Sequence, residues 1–197
     1  MNHYRKYFIY LSFIFLYFPL TFLLAQEECK GLIFNEVYLD KDNPGNSWIE
    51  IYNPTENALT LEAIRYSHIK TTNMLPDSIQ KSGGVVINPG DYLIITSTKE
   101  NFSLAVKSKN LLLPDISNFD LGGFMALTTK KIGISGIDAF KYGDPDKSAG
   151  FKNYKDKPLI NFSTNGKSFS RKLDNNNGII SVSDFYETEP TKGSANK

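Results

Sequence analysis

Hydrophobic and polar positions alternate in short stretches along most of the chain, and turn residues separate these stretches. The stretches are rich in Val, Ile, Phe, Tyr and Thr, which favour pleated, half-buried positions, and therefore predict β-strands. The predicted strands span 32–39, 47–52, 59–70, 84–88, 91–97, 124–129, 131–135, 137–142 and 168–173. Between them, Pro is combined with Gly or Asn, as in Asn43-Pro44-Gly45 and Asn88-Pro89-Gly90, and such combinations favour turns.

Helical periodicity is nearly absent after residue 25, and only 100–109 is compatible with a short helix. Many short strands at close spacing predict an all-β, antiparallel sandwich rather than alternating strands and helices. No internal repeat or change of composition divides the sequence. We therefore expect one domain over 31–197, preceded by a short linker at 26–30.

The N-terminus has a different pattern. The basic pair Arg5-Lys6 precedes a nearly unbroken apolar run over 7–24, which ends at the small residue Ala25. This arrangement predicts a signal peptide over 1–25. An uncleaved membrane anchor is the alternative, because about 18 apolar residues can span a bilayer. Since Pro19 and Ala25 favour cleavage, we expect an exported protein, periplasmic, cell-surface or extracellular, without a transmembrane segment in the mature chain.

Charge and composition then narrow the function classes. The 197 residues include 22 Lys and Arg against 21 Asp and Glu, and removal of the leader leaves 20 against 21. A nearly neutral domain has no general field that attracts nucleic acid. One Cys and two His disfavour a disulfide framework and a zinc site. His68 has no companion Ser or Cys motif, so no enzyme activity is expected.

Five motifs follow one another along 31–197. They are Ile33-Phe34-Asn35-Glu36-Val37, Trp48-Ile49-Glu50-Ile51-Tyr52-Asn53-Pro54, Asn88-Pro89-Gly90-Asp91-Tyr92-Leu93, Gly166-Lys167-Ser168-Phe169-Ser170-Arg171 and Glu189-Pro190-Thr191-Lys192-Gly193-Ser194-Ala195-Asn196. In this order they resemble the lamin-tail domain, whose members typically begin with I-N-E-V and W-I-E-L-Y-N-P. One departure is Lys192, which stands where the family usually has Pro.

The resemblance implies an immunoglobulin-like β-sandwich without a catalytic site of its own. It identifies as fold-motif residues Glu36, Trp48, Glu50, Asn53 and Arg171. We therefore expect a non-catalytic structural or protein-interaction module whose partner is an unknown protein or a component of the cell envelope. No cofactor is expected from this resemblance.

Two interpretations of the first two strands remain open. Strict alternation places Ile33, Asn35, Val37 and Leu39 on one face of the first strand and Phe34, Glu36 and Tyr38 on the other. Trp48, Glu50 and Tyr52 share a face of the second strand, so pairing would surround both carboxylates with four rings. Such a face could bind a sugar, a base or a cation. Alternatively, a loop covers it and each Glu accepts hydrogen bonds from that loop or pairs with Arg65 or Arg171, which we favour.

A carbohydrate- or polyanion-binding module is the alternative function. Its candidate binding residues are Trp48, Glu50 and Tyr52 on the strand face and Lys152, Tyr154 and Lys155 in the Lys-rich loop 141–157. Rings interleaved with lysines can hold an anionic glycan or a nucleic-acid strand. The faintly acidic mature chain argues against nucleic acid and favours a solvated loop.

Calcium is the one metal for which the loops provide candidate ligands. These are Asp40, Asp42, Asp144 and Asp146. Oxygen atoms in loops are the ligands that calcium prefers. The spacing does not fit an EF-hand, however, because the twelfth position counted from Asp40 is Ile51. We therefore treat calcium as a candidate cofactor and favour solvated acidic loops.

Overall fold

The computed structural model describes residues 31–67, 72–113, 122–128, 138–144, 156–176, 179–182 and 184–196. Within them the chain is built mostly from strands. The strands are β1 (Ile33–Tyr38), β2 (Trp48–Tyr52), β3 (Leu59–Leu61), β4 (Ala63–Ser67), β5 (Thr72–Asn73), β6 (Val85–Ile87), β7 (Tyr92–Thr96), β8 (Ser108–Leu112), β9 (Gly122–Thr128), β10 (Asp138–Gly143), β11 (Leu159–Ile160), β12 (Ser168–Ser170), β13 (Leu173–Asn176), β14 (Ile179–Val182) and β15 (Tyr186–Thr188). One short helix, α1 (Asp77–Lys81), and 3-10 turns at Pro44–Asn46 and Lys99–Asn101 accompany them.

The strands form two larger sheets and two ribbons. The six-stranded sheet has the order β15-β12-β1-β2-β7-β8, and the five-stranded sheet has the order β11-β10-β9-β4-β5. The strand pairs are antiparallel except for β7 with β8 and β10 with β11. The ribbons are β13-β14 and β3-β6. The prediction of an all-β fold is therefore confirmed.

Side chains from both larger sheets pack into one hydrophobic core. Phe34 of β1 meets Phe140 of β10 edge to face, with ring centroids 4.8 Å apart. The fully buried core residues include Val37, Ile49, Ile51, Leu93, Ile64, Met125, Leu127 and Tyr142. Burying large aliphatic and aromatic side chains contributes roughly 1.5–3 kcal/mol each, so this core is the main source of stability.

In the described part of the chain, no helix is long and apolar enough to cross a membrane.

One strand prediction and one helix prediction need correction. The predicted strand 59–70 is divided at Glu62 into β3 and β4, which pair in different sheets. The stretch 100–109, whose sequence is compatible with a short helix, does not form one. Its place is taken by the 3-10 turn Lys99–Asn101 and by β8, which pairs in parallel with β7. Pairing with a neighbouring strand satisfies the backbone there, and this tertiary contact overrides a weak local preference for helix. The predicted strand 131–135 lies outside the described residues.

Candidate functional site

A β-bulge in β1 brings the two motif carboxylates together. Phe34 lies opposite Ile51, but the register then shifts, so that Glu36 lies directly opposite Glu50. The extra residue, Asn35, reverses the strict alternation predicted for this strand. Phe34 therefore packs in the core instead of beside Glu36. The predicted juxtaposition of Glu36 and Glu50 is confirmed, and the predicted face for Phe34 is wrong.

Glu36 is fully buried and accepts hydrogen bonds from two elements. The Thr191 backbone N–H donates to both carboxylate oxygens, over 3.0 and 3.1 Å, and the Thr191 hydroxyl lies 2.8 Å from Oε2. The Ser168 hydroxyl on the neighbouring strand β12 donates to Oε1. These donors satisfy a carboxyl group that would otherwise be buried without hydrogen-bond partners.

Glu50 is also fully buried, and its two oxygens have separate donors. The Asn35 side-chain amide donates to Oε1, and the Gly193 backbone N–H donates to Oε2. Burial raises the pKa of Glu50 to about 7, and the nearby charge of Glu36 adds to this increase. The hydrogen bonds from Gly193 and Asn35 and the charge of Lys192 lower the pKa but do not offset burial.

The donors to both carboxylates come largely from residues 191–196, which we call the C-terminal segment. Asn196 secures it from the other end, because its side-chain amide donates to the backbone carbonyls of Asn35 (3.1 Å) and Arg171 (2.6 Å). The Thr191 hydroxyl also lies 2.8 Å from Asn196 Oδ1. The C-terminal segment is therefore the loop that covers the carboxylate face.

Gly193 is required by the close approach of the C-terminal segment to its neighbours. Its φ of +80° lies in the left-handed region, which favours glycine. A Cβ placed there would lie 2.8 Å from the Cβ of Ala105 and would also collide with the Ser103 hydroxyl. The absence of a side chain thus lets the Gly193 N–H reach Glu50.

The aromatic rings beside the carboxylates are covered as well. Trp48 is 3% exposed, stacks against Tyr38 with centroids 6.1 Å apart, and has the Lys192 ammonium 4.7 Å from its ring centroid. Tyr52 is half-buried and stacks on Tyr92, with centroids 4.6 Å apart. A stacking platform needs an exposed ring. The burial of Trp48 and Glu50 therefore speaks against the ligand-binding face proposed from the sequence.

Arg171 joins the two larger sheets rather than the carboxylate pair. Its Nη1 donates to both Asp138 oxygens, over 2.9 and 2.8 Å, and its guanidinium lies 4.2 Å from the ring centroid of Phe185. Asp138 Oδ2 also accepts a hydrogen bond from the Phe34 N–H over 2.8 Å. The hypothesis that Arg171 pairs with Glu36 or Glu50 is replaced by this contact with Asp138.

Asn53 is buried at the end of β2 and ties that strand to two other segments. Its amide donates to the carbonyls of Asn57 (2.8 Å) and Ile87 (2.9 Å), and its Oδ1 accepts from the Thr55 N–H (3.0 Å). The turn-forming role predicted for Asn53 fits these bonds, and the bond to Ile87 adds a connection to β6.

We expect Asn53→Ala to lower the free energy of unfolding by about 2 kcal/mol, because it removes the hydrogen bonds to the Asn57 and Ile87 carbonyls and the one from the Thr55 N–H. Chemical denaturation followed by the fluorescence of Trp48 measures this loss. Asn57→Ala is the matched control in the same loop, since the Asn57 side chain is exposed, and should stay within about 0.5 kcal/mol. Equal losses in both variants would contradict the assigned role.

Among the candidate calcium ligands, Asp40 has a role within its own loop. Asp40 forms a turn, since its carboxylate accepts from the N–H groups of Asp42 (3.1 Å) and Asn43 (2.8 Å). Across the described ranges, no three His, Cys, Asp or Glu residues are placed to hold a metal ion. The predicted leader, linker and other candidates lie outside the described residues: 1–25, 26–30, His68, Asp146, Lys152, Tyr154 and Lys155.

The sequence does not indicate which residues donate hydrogen bonds to Glu36 and Glu50. Thr191, Gly193 and Asn196 belong to a motif that the sequence displays, but its spacing carries no sign of which strand the motif contacts. In the structure, residues of four motifs meet in one hydrogen-bonded cluster: Asn35, Glu36, Glu50, Ser168, Thr191, Gly193 and Asn196.

No family model, curated protein or solved structure matches this chain.

Proposed function

We propose that this chain is an exported, non-catalytic protein of lamin-tail type that acts as a structural or protein-interaction module. The observation that carries the proposal is the cluster in which Glu36 and Glu50 hold the C-terminal segment. Four motifs that resemble the lamin-tail domain contribute to this cluster although they are far apart in the sequence. Motifs that depend on one another in this way support a role in maintaining the fold.

The chemistry of the cluster favours a structural role over catalysis. A catalytic carboxylate has to reach a substrate, whereas Glu36 and Glu50 have no exposed surface and accept hydrogen bonds from backbone N–H groups of their own chain. The shared core of the two larger sheets supports an immunoglobulin-like sandwich. We therefore place binding at the edges and loops of the sandwich, with an unknown protein or envelope component as the partner.

Export can be tested by expressing the full chain in a bacterial host and measuring the intact mass of the protein in the exported fraction. We expect loss of residues 1–25. Ala25→Lys is the control, because a small residue is needed at the cleavage position, and it should retain the leader. Recovery of uncleaved wild-type protein in the cytosol would contradict export.

The interaction role can be tested on the same exported fraction by chemical crosslinking through exposed lysines, followed by mass spectrometry. We expect reproducible crosslinks to one polypeptide. Glycan and nucleic-acid arrays probe the alternative function, with Lys152→Ala/Lys155→Ala as the comparison variant. An array signal that this variant loses, together with an absence of protein crosslinks, would favour a polyanion-binding module instead.

A further inference from the structure

Two aliphatic side chains project fully into solvent beside the C-terminal segment. They belong to residues 103–108, which we call the aliphatic loop and which lead into β8. Leu104 is 97% exposed and Val106 is 102% exposed, whereas Ser103 between β7 and β8 is buried. Single exposed aliphatic residues are ordinary on protein surfaces. Two of them, separated by one residue and both wholly exposed, form an apolar tip.

The aliphatic loop is held by its own hydrogen bonds. The Asn110 side chain accepts from the Ser103 N–H and donates to the Ser103 carbonyl, both over 2.8 Å. The Ser108 N–H and hydroxyl both donate to the Ala105 carbonyl, over 3.0 and 2.7 Å. The Ser103 hydroxyl also donates to the Lys192 carbonyl over 3.3 Å. The apolar tip is therefore preorganised, which lowers the entropic cost of binding.

Positive charge surrounds this tip. Residues 99–109 contain three lysines and one acidic residue, Glu100. Lys192 lies at the same end, because its ammonium donates to the Asn101 carbonyl over 3.0 Å. Asp91 also lies near the loop, because the backbone N–H of the next residue, Tyr92, donates to the Lys107 carbonyl. The Asp91 carboxylate accepts a hydrogen bond from the Asn88 amide. Lys99, Lys107 and Lys109 thus outnumber Glu100 and Asp91, whereas Lys192 is half-buried and lies close to the carboxyls of Glu36 and Glu50.

We propose that the aliphatic loop docks on an anionic lipid surface, with Leu104 and Val106 inserted at the boundary between headgroups and acyl chains. A lipid surface accepts separate projecting side chains without a complementary pocket, and its anionic headgroups complement Lys107 and Lys109. A protein partner would need a matching pocket and acidic groups. The aliphatic loop contacts the C-terminal segment, but Leu104 and Val106 take no part in the Glu36–Glu50 cluster, so failure of lipid docking would leave the proposed function intact.

A fluorescent probe at the tip tests insertion directly. Leu104→Cys, in a Cys29→Ser background and labelled with an environment-sensitive dye, is purified from the exported fraction and mixed with vesicles of equal phosphatidylglycerol and phosphatidylcholine. We expect a blue shift and a several-fold rise in emission. Leu173→Cys, in the ribbon β13-β14, is the control: Leu173 is 37% exposed but lies outside the aliphatic loop, so its dye should not respond. Equal responses at both positions, or none at 104, would overturn the proposal.

Vesicle affinity provides the second measurement. Leu104→Ser/Val106→Ser should weaken binding at least about tenfold, because two inserted aliphatic side chains are lost. Leu159→Ser/Leu173→Ser removes exposed aliphatic surface elsewhere and should bind as the wild type does. Lys107→Gln/Lys109→Gln should bind several-fold more weakly, and added salt should weaken the wild type in the same way. Unchanged affinity in the loop variant, or loss of a protein crosslink instead of vesicle binding, would refute lipid docking.

Discussion

Glu36→Ala is expected to lower the free energy of unfolding by about 4 kcal/mol. The substitution leaves the Thr191 N–H, the Thr191 hydroxyl and the Ser168 hydroxyl without their acceptor in a buried site. Each buried donor left without an acceptor typically costs about 1–3 kcal/mol, and three donors are affected here. Trp48 is the one tryptophan of the chain and is buried beside this site, so its fluorescence reports denaturant unfolding.

Glu36→Gln is the conservative comparison and should lose only about 1–2 kcal/mol. Its Oε1 can still accept from the Thr191 N–H, and its amide can donate to the Thr191 hydroxyl. That hydroxyl can then turn its proton toward Asn196 Oδ1, which lies 2.8 Å away. Hydrogen exchange in the C-terminal segment should rise strongly in the Ala variant and weakly in the Gln variant. Equal stability of the Ala variant and the wild type would refute the structural role of Glu36.

The second large effect is a loss of stability as the pH rises, caused by Glu50. Its pKa is raised in the folded protein from 4.5 to about 7, so between these values the folded state binds more protons than the unfolded state. Stability from this group is therefore complete below pH 4.5 and is lost as the pH rises through 7. Because a tenfold change in proton affinity is worth about 1.4 kcal/mol, the loss is about 3 kcal/mol.

Glu50→Gln isolates this effect, because glutamine does not titrate. Its Oε1 can accept from the Gly193 N–H, and its amide can donate to Asn35 Oδ1 after the Asn35 amide reverses. We expect the free energy of unfolding of the wild type, relative to that of this variant, to fall as the pH rises from about 4 to about 8. Denaturation curves of both proteins across this range give the difference. A difference that is constant with pH would contradict the assignment to Glu50.

Local patterning accounts for the central strands of both larger sheets and for part of the candidate site, but not for the edge strands β5, β8, β11 and β15. Alternation in β2 predicts that Trp48, Glu50 and Tyr52 share a face, and pairing with β1 places Glu36 opposite Glu50. The bulge at Asn35 could not be predicted, because inserting one residue into a ladder depends on the partner strand and the covering segment. Because of this bulge, the side chain of Phe34 lies in the core.

Contacts between residues far apart in the sequence account for the features that local patterning does not predict. The stretch 100–109 is not an α-helix, because β7 provides a partner for β8. Arg171 contacts Asp138, because sheet packing brings β10 to the end of β12. The partner of an ionised side chain depends on which backbone donors the tertiary structure delivers. Sequence spacing alone therefore indicates that Glu36 and Glu50 need donors, but it does not identify Thr191 and Gly193.

The distance along the chain between Glu36 and Thr191, 155 residues, has a consequence for the timing of folding. A chain that emerges N-terminus first exposes β1 and β2 long before the C-terminal segment. During this interval both carboxylates lack their backbone donors, and closing the intervening loop carries an entropic cost. The completed face thus forms late, only after residues 191–196 have been synthesised and can reach the two strands.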